Sequence, residues 1–143
     1  MRKFAYMNSK LQHTADQLKT LGDPVRLRIM HALVRACCPV CVCELVDALK
    51  LQQYQVSRHL RALKKAGLVK TDKKGTWVYY DLVNSSEVSS ITRCLEDLLQ
   101  GEQCRHDIEH LRKRLALRED GECVVGFVSE EKLNRKMAEC GIE

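Results

Sequence analysis

The sequence predicts a mainly α-helical chain with one small β-hairpin. Aromatic residues make up 5% of the chain and its 143 residues include only two prolines, a balance that favours helices over a sandwich or barrel. Apolar residues recur at helical spacing along most of its length. Residues 68–82 instead alternate as two short strands about a glycine-containing turn. With 45% hydrophobic and 30% charged residues, this length supports one buried core.

Residues 9–20 are expected to form a short helix that Gly22 ends. Asp23 caps the next helix, and Pro24 takes its first position, where a missing N–H costs nothing. That helix reaches about residue 36, with Ile29, Met30, Leu33 and Ala36 on one face. Pro39 resets the chain. A third helix, around residues 42–50, carries Leu45, Val46 and Leu49, and a break at Leu51-Gln52 leads to a fourth over residues 53–66. At about 100° per residue, Val56, Leu60 and Leu63 in this fourth helix share one face, opposite Tyr54, Ser57, Arg58, Arg61 and Lys65. One face packs and the other is free to read. Gly67 supplies the left-handed end, Leu68–Thr71 forms a strand, Asp72-Lys73-Lys74-Gly75 turns, and Thr76–Leu82 returns. Helix, short turn, helix and basic hairpin make a winged helix-turn-helix, whose second helix enters a major groove and whose hairpin tip reaches the neighbouring backbone or minor groove. Further on, Ile91, Leu95, Leu98 and Leu99, then Ile108, Leu111 and Leu115, form apolar stripes suited to core or dimer packing.

Charge agrees with that geometry. The net charge is +5, yet residues 58–74 alone hold Arg58, Arg61, Lys64, Lys65, Lys70, Lys73 and Lys74 against Asp72. A polyanion is the natural partner. No apolar run is long enough to span a membrane, because Arg28, His31, Arg35, Glu44 and Asp47 interrupt the longest candidate. The N-terminal residues lack a secretion signal, which places the chain in the cytosol. There, eight cysteines point to metal binding, redox chemistry or plain burial before structural disulfides.

Four of those cysteines fall within residues 37–43, Cys-Cys-Pro-Val-Cys-Val-Cys, directly ahead of the third helix. Soft thiolates capture soft or borderline metal ions, and an occupant at the start of a helix can shift whatever that helix positions.

At these residues the sequence resembles the ArsR/SmtB metal-responsive repressors. Leu21-Gly22-Asp23-Pro24-Val25-Arg26-Leu27-Arg28-Ile29 is similar to that family's second-helix opening, and Val40-Cys41-Val42-Cys43-Glu44-Leu45 to its CVC box. Val56-Ser57-Arg58-His59-Leu60-Arg61-Ala62-Leu63 with Ala66-Gly67-Leu68-Val69 is similar to its recognition helix. Leu115-Ala116-Leu117-Arg118 and Cys123-Val124-Val125-Gly126 resemble the tail of the arsenical branch. The chain departs from the family at Gln52, Tyr54 and Thr76, where Ser, Pro and Arg are usual. The resemblance implies a homodimer that represses its own resistance operon and leaves DNA when metal binds. Residues 1–118 would form the DNA-binding and dimerisation domain, followed by a tail over 119–143.

Gln53, Gln55, Ser57, Arg58 and Arg61 are assigned to base edges and phosphates of operator DNA, with Lys73 and Lys74 on the wing. His59 lies beside the apolar face and is given a packing role. For the effector, Cys41 and Cys43 are the first ligands of As(III) or Sb(III), or of another thiophilic ion, since trivalent arsenic needs three converging sulfurs. On a regular helix residues two apart do not face one another, so joint ligation is expected to unwind the helix start. The helix dipole is expected to lower the thiol pKa there. The arsenical branch often supplies a third sulfur three residues later, where Val46 stands; Cys38 is preferred in its place, with Cys37 as the alternative.

Other readings are weaker. Cys104, His106 and His110 make a borderline zinc set that reads better as solvated helix polars. Cys94, between Ile91 and Leu98, reads as a small buried hydrophobe; Cys123 and Cys140 have no assigned role. Cys38-Pro39-Val40-Cys41 lacks the preceding strand of a redox enzyme, and no second CxxC completes a zinc ribbon. A repressor of this fold that senses oxidants through a disulfide is the nearest rival.

Overall fold

The computed structural model describes residues 2–124 and Gly126, then Glu131, Asn134, Arg135 and Ala138; for residues 2–8 it describes the backbone alone. Along the chain run α1 (Arg2–Thr20), α2 (Pro24–Ala36), β1 (Val40–Cys41), α3 (Val42–Leu49), α4 (Gln53–Lys65), β2 (Val69–Lys74), β3 (Trp77–Leu82), α5 (Ser86–Leu98) and α6 (Glu102–Leu115). Helices with a small wing are thus the fold, as the sequence predicts.

Local chemistry explains the boundaries. Asp23 Oδ1 accepts from the Val25 and Arg26 amides at 2.9 and 3.2 Å, which satisfies two orphan donors at the start of α2. Cys37 ends α2 in the left-handed region at φ 54, as Gly67 does after α4 at φ 76. Ser85 Oγ accepts from the Val88 amide and starts α5. The core joins α2, α3, α4 and α6 through Ile29, Met30, Leu33, Leu45, Leu49, Leu60, Leu63 and Leu111, all buried.

Three details differ from the sequence-based expectation. Helix α1 begins at Arg2, well before residue 9. The wing turn is tighter than Asp72–Gly75: β2 continues to Lys74, and Gly75-Thr76 alone connects Lys74 to its partner Trp77. Gly75 has φ 61, the backbone that mirror-image hairpin turns require of their first central residue. The third difference is β1, which pairs antiparallel with β3 through Val40–Tyr80 and Cys41–Tyr79, giving sheet order β1-β3-β2. The cysteine box is therefore stitched to the wing by backbone hydrogen bonds.

Helix α6 is fastened inside the same chain. Arg28 of α2 grips both Asp107 oxygens at 2.8 and 2.9 Å and also donates to the Leu49 carbonyl at 2.8 Å. Arg114, with a side chain 1% exposed, donates to Asp47 of α3 at 2.8 Å. Leu111 sits between these pairs in the core. No described helix is long and apolar enough to cross a membrane.

Candidate thiol centre and nucleic-acid interface

Cys41 is the last residue of β1 and the N-cap of α3, with extended φ −86 and ψ 161. Because it stands outside the helix, the 100° helical spacing does not separate its side chain from that of Cys43. The two sulfurs are 3.0 Å apart. The expected unwinding of the helix start is thus unnecessary: the pair is already convergent. Glu44, fully buried, accepts from the Cys41 amide at 3.0 Å and from the Cys41 thiol at 3.2 Å.

The third sulfur comes from the tail. After α6, Glu119 and Glu122 exchange backbone hydrogen bonds of 3.0 and 2.9 Å across Asp120-Gly121, both at positive φ, 52 and 75. Both central residues at positive φ give the chain reversal that an Asp-Gly pair favours. It delivers Cys123 to 3.6 Å from Cys43, and the Cys123 amide donates to Tyr79 Oη at 2.9 Å. Cys41, Cys43 and Cys123 hold their sulfurs within 4.8 Å of one another, all three buried, the one such group among the described residues. Trp77 packs against them, and hollows lined by Gln53, Thr76 and Trp77 on one side and by Lys74, Trp77 and Glu122 on the other flank the cluster.

Cys37 and Cys38, expected as candidates for the third ligand, are placed elsewhere. Cys37 is exposed, its left-handed backbone turning the thiol back to the Val34 carbonyl, and Cys38 Sγ lies 3.7 Å from Arg118 Nη1. Pro39 separates both from the convergent pair. The signal for Cys123 lay in the sequence as Asp120-Gly121 two residues before it, a hairpin-turn dipeptide. Cys140 lies outside the described residues, as does Val125.

Electrostatics at the cluster run opposite to the dipole expectation. The Cys41 thiol is pushed well above its ordinary range by its hydrogen bond with Cys43, by burial and by the Glu44 carboxylate. Burial, then the contact with Cys41, pushes Cys123 up as well. Desolvation and hydrogen bonds that favour the neutral form outweigh the helix N-terminus. Resting Cys41 and Cys123 are therefore neutral thiols.

Arg118 holds the arrangement together. Its Nε donates to Glu44 Oε2 at 2.7 Å and its Nη2 to Glu44 Oε1 at 2.6 Å and to the Pro39 carbonyl at 2.7 Å. Its guanidinium lies 5.6 Å from the Tyr79 ring centre.

The face of α4 assigned to DNA is separate from the core. Val56, His59, Leu60 and Leu63 are the buried side of α4, whereas Gln53, Tyr54, Arg58 and Arg61 are exposed and Gln55 and Ser57 half-buried. Lys73 and Lys74 are exposed beside the wing tip. His59 accepts from Arg26 Nε at 3.1 Å, the packing role expected of it. Cys94, by contrast, is exposed: α5 turns Val88 and Leu95 inward and leaves Cys94 and Leu98 outside, so the reading of Cys94 as a buried hydrophobe is corrected. Cys104, His106 and His110 are not brought together as a three-donor group among the described residues, and His106 lies 3.9 Å from Glu102.

Comparison with known proteins agrees with this geometry. Residues 23–71 match the family described as bacterial regulatory protein, arsR family. The chain is 40% identical over 89 residues to an uncharacterized HTH-type transcriptional regulator of Methanocaldococcus jannaschii, covering 62% of this chain and 98% of that one. It is 38% identical over 81 residues to the arsenical resistance operon repressor of Bacillus subtilis, covering 57% and 75%. Among solved structures, reduced HlyU from Vibrio cholerae superposes with a TM-score of 0.59 at 31% identity, covering 67% of this chain and 98% of that one. The chain belongs to the ArsR family of winged helix-turn-helix transcriptional regulators.

Proposed function

We propose that the protein is an operator-bound homodimeric repressor released when As(III) or Sb(III) binds Cys41, Cys43 and Cys123. The single observation that carries this reading is the buried, convergent trio of sulfurs. Three sulfurs on one side suit a pyramidal trivalent centre, whereas closed zinc sites take four ligands. Arsenous acid and three thiols condense with balance: three As–S bonds form, three As–O bonds break, and each departing hydroxide leaves as water with a thiol proton. The product is neutral. A divalent ion in the same trio would leave a buried complex of charge −1 beside Glu44, a costly arrangement.

Release follows from where the sulfurs are anchored. Cys41 belongs to both β1, which pairs with the wing, and the cap of α3, which packs on α4. Replacing thiol hydrogen bonds by bonds to one atom re-spaces these elements and so disfavours the DNA-bound arrangement. Gln53, Gln55, Ser57, Arg58 and Arg61 read bases and phosphates while Lys73 and Lys74 hold the adjoining backbone. Leu11 and Leu18 on α1 and Leu98 on α5 are more than half exposed, apolar surface that a second copy of the chain would cover.

The test is arsenite added to the operator complex under reducing conditions. Release of wild-type protein, lost in Cys41→Ser, Cys43→Ser and Cys123→Ser variants that still bind operator, supports the reading. Wild-type protein that stays bound refutes it. A redox reading is favoured by the 3.0 and 3.6 Å sulfur contacts, which a peroxide would oxidise to a disulfide with two waters formed. Release by peroxide alone would select it, and release by cadmium with no arsenite response would select a divalent effector.

A further inference from the structure

We propose that Arg118 is the positioning residue that presents Cys123 to Cys41 and Cys43, so that the third sulfur is available only while its guanidinium is forked on Glu44. The inference rests on the thiol site proposed above. The Asp120-Gly121 reversal fixes the direction of the tail but not where it lands. Landing is set by contacts on both sides of one guanidinium. Pro39 and Glu44, which flank Cys41 in sequence, accept from it at 2.6–2.7 Å, and Gly121, two residues before Cys123, accepts from Nη1 at 3.4 Å. Its plane also lies over the Tyr79 ring, whose hydroxyl receives the Cys123 amide. One planar cation therefore joins the start of α3, the wing strand and the tail. Without it, the tail regains backbone freedom and the sulfurs lose their common centre.

Charge alone does not do this. Five donors in a fixed plane satisfy a carboxylate and two carbonyls together, whereas a lysine ammonium offers a compact charge with no fork. Arg118→Lys is accordingly expected to fail as Arg118→Gln does.

The experiment compares two probes on the reduced full chain: arsenite, which uses three thiols, and phenylarsine oxide, which uses two. Arsenic X-ray absorption counts sulfur neighbours, and operator binding reports folding. Wild type is expected to show three sulfurs. Arg118→Gln, Arg118→Lys and Cys123→Ser are each expected to show two, to bind arsenite weaker by about tenfold or more, and to bind phenylarsine oxide within about threefold of wild type. Because Arg118 acts through Cys123, the Arg118→Gln/Cys123→Ser double variant should bind arsenite no more weakly than Cys123→Ser. If Arg118→Gln is too unstable to purify, because Glu44 is left buried and unpaired, Glu44→Gln/Arg118→Gln carries the same expectation of two sulfurs. Three sulfurs retained in these variants, or losses that add in the double variant, overturn the role of Arg118. Fewer than three sulfurs in wild type would instead overturn the thiol site.

Discussion

The thiol of Cys123 lies 3.6 Å from that of Cys43 although 80 residues separate them in sequence. Cys38, five residues from Cys43, is held beside Arg118 and outside the trio. Folding topology thus outweighs sequence proximity in choosing the third sulfur. The expected outcome is that Cys37→Ser and Cys38→Ser shift the arsenite concentration for half-release of operator by no more than about twofold, as isolated changes outside a site usually do. Electrophoretic mobility shifts across an arsenite series measure this. A Cys38→Ser protein deaf to arsenite would move the site to the other side of Pro39.

The neutral resting thiols give the proposed effector site a proton signature. Cys41 and Cys123 have raised pKa values, Cys41 chiefly through its Cys43 hydrogen bond and Cys123 chiefly through burial. Arsenous acid condenses with thiols without net proton release, so its affinity is expected to be nearly flat from pH ~6 to ~8. Cadmium must displace at least those two protons, so its apparent affinity is expected to climb by about a hundredfold per pH unit over the same window. The sign for stability is the same in kind. A folded-state pKa above the unfolded value favours the protonated chain, so this contribution is complete below about pH 8.5 and falls as pH rises through the elevated folded value. Isothermal titration at three pH values measures the first effect and urea unfolding of the metal-free protein the second; parallel pH slopes for arsenite and cadmium would contradict the neutral-thiol description.

Helix α6 matters to the site because Arg118 and Cys123 follow directly from it. Its more deeply buried anchor is the pair of Arg114, 1% exposed, with Asp47, 5% exposed, at 2.8 Å. Removing one partner leaves a buried charge without its counter-ion, which costs roughly 3–5 kcal/mol in comparable pairs. Arg114→Met is therefore expected to lose a large part of the unfolding free energy, and Asp47→Leu a similar amount. The combined Arg114→Met/Asp47→Leu change should be far less damaging than the sum. Urea denaturation of the four proteins checks the cycle, and additive losses would show that the pair is not coupled.

Much of this architecture was legible in the residues themselves. Asp23-Pro24 announces α2, Val56, Leu60 and Leu63 fix the buried side of α4, and Gly75 marks the wing, because each is a local signal whose cause is steric or periodic. Cys41 and Cys43 were legible as a pair, but their convergence was not: it depends on Cys41 being an N-cap in extended backbone, and β1 is two residues long, too short to show a period. Cys123 was hidden for a different reason. Its partners, Tyr79 and Cys43, are set by tertiary packing over 44 and 80 residues, and only Asp120-Gly121 hinted that the chain turns back. Cys94 misled because alternation of Ile91, Leu95 and Leu98 does not say which side of α5 faces the core.

The reading face supplies the last prediction, and salt is the variable that isolates it. Arg58 and Arg61 on α4 and Lys73 and Lys74 beside the wing tip are all exposed and basic. Each phosphate they neutralise releases condensed counter-ions, so log affinity falls linearly with log salt at about 0.9 per contact. With six or more contacts across a dimer, operator affinity is expected to drop by about a thousandfold between ~50 and ~200 mM salt. Lys73→Ala/Lys74→Ala removes wing charge from both protomers and should flatten the slope by up to about 4 while leaving base preference intact. Gln55→Ala, by contrast, should weaken the correct operator by about 1–3 kcal/mol, leave non-specific DNA unchanged and keep the slope, because a base contact carries sequence information and no counter-ion release. Fluorescence anisotropy with specific and scrambled duplexes at four salt concentrations measures both quantities; a wing variant with an unchanged slope would remove Lys73 and Lys74 from the interface.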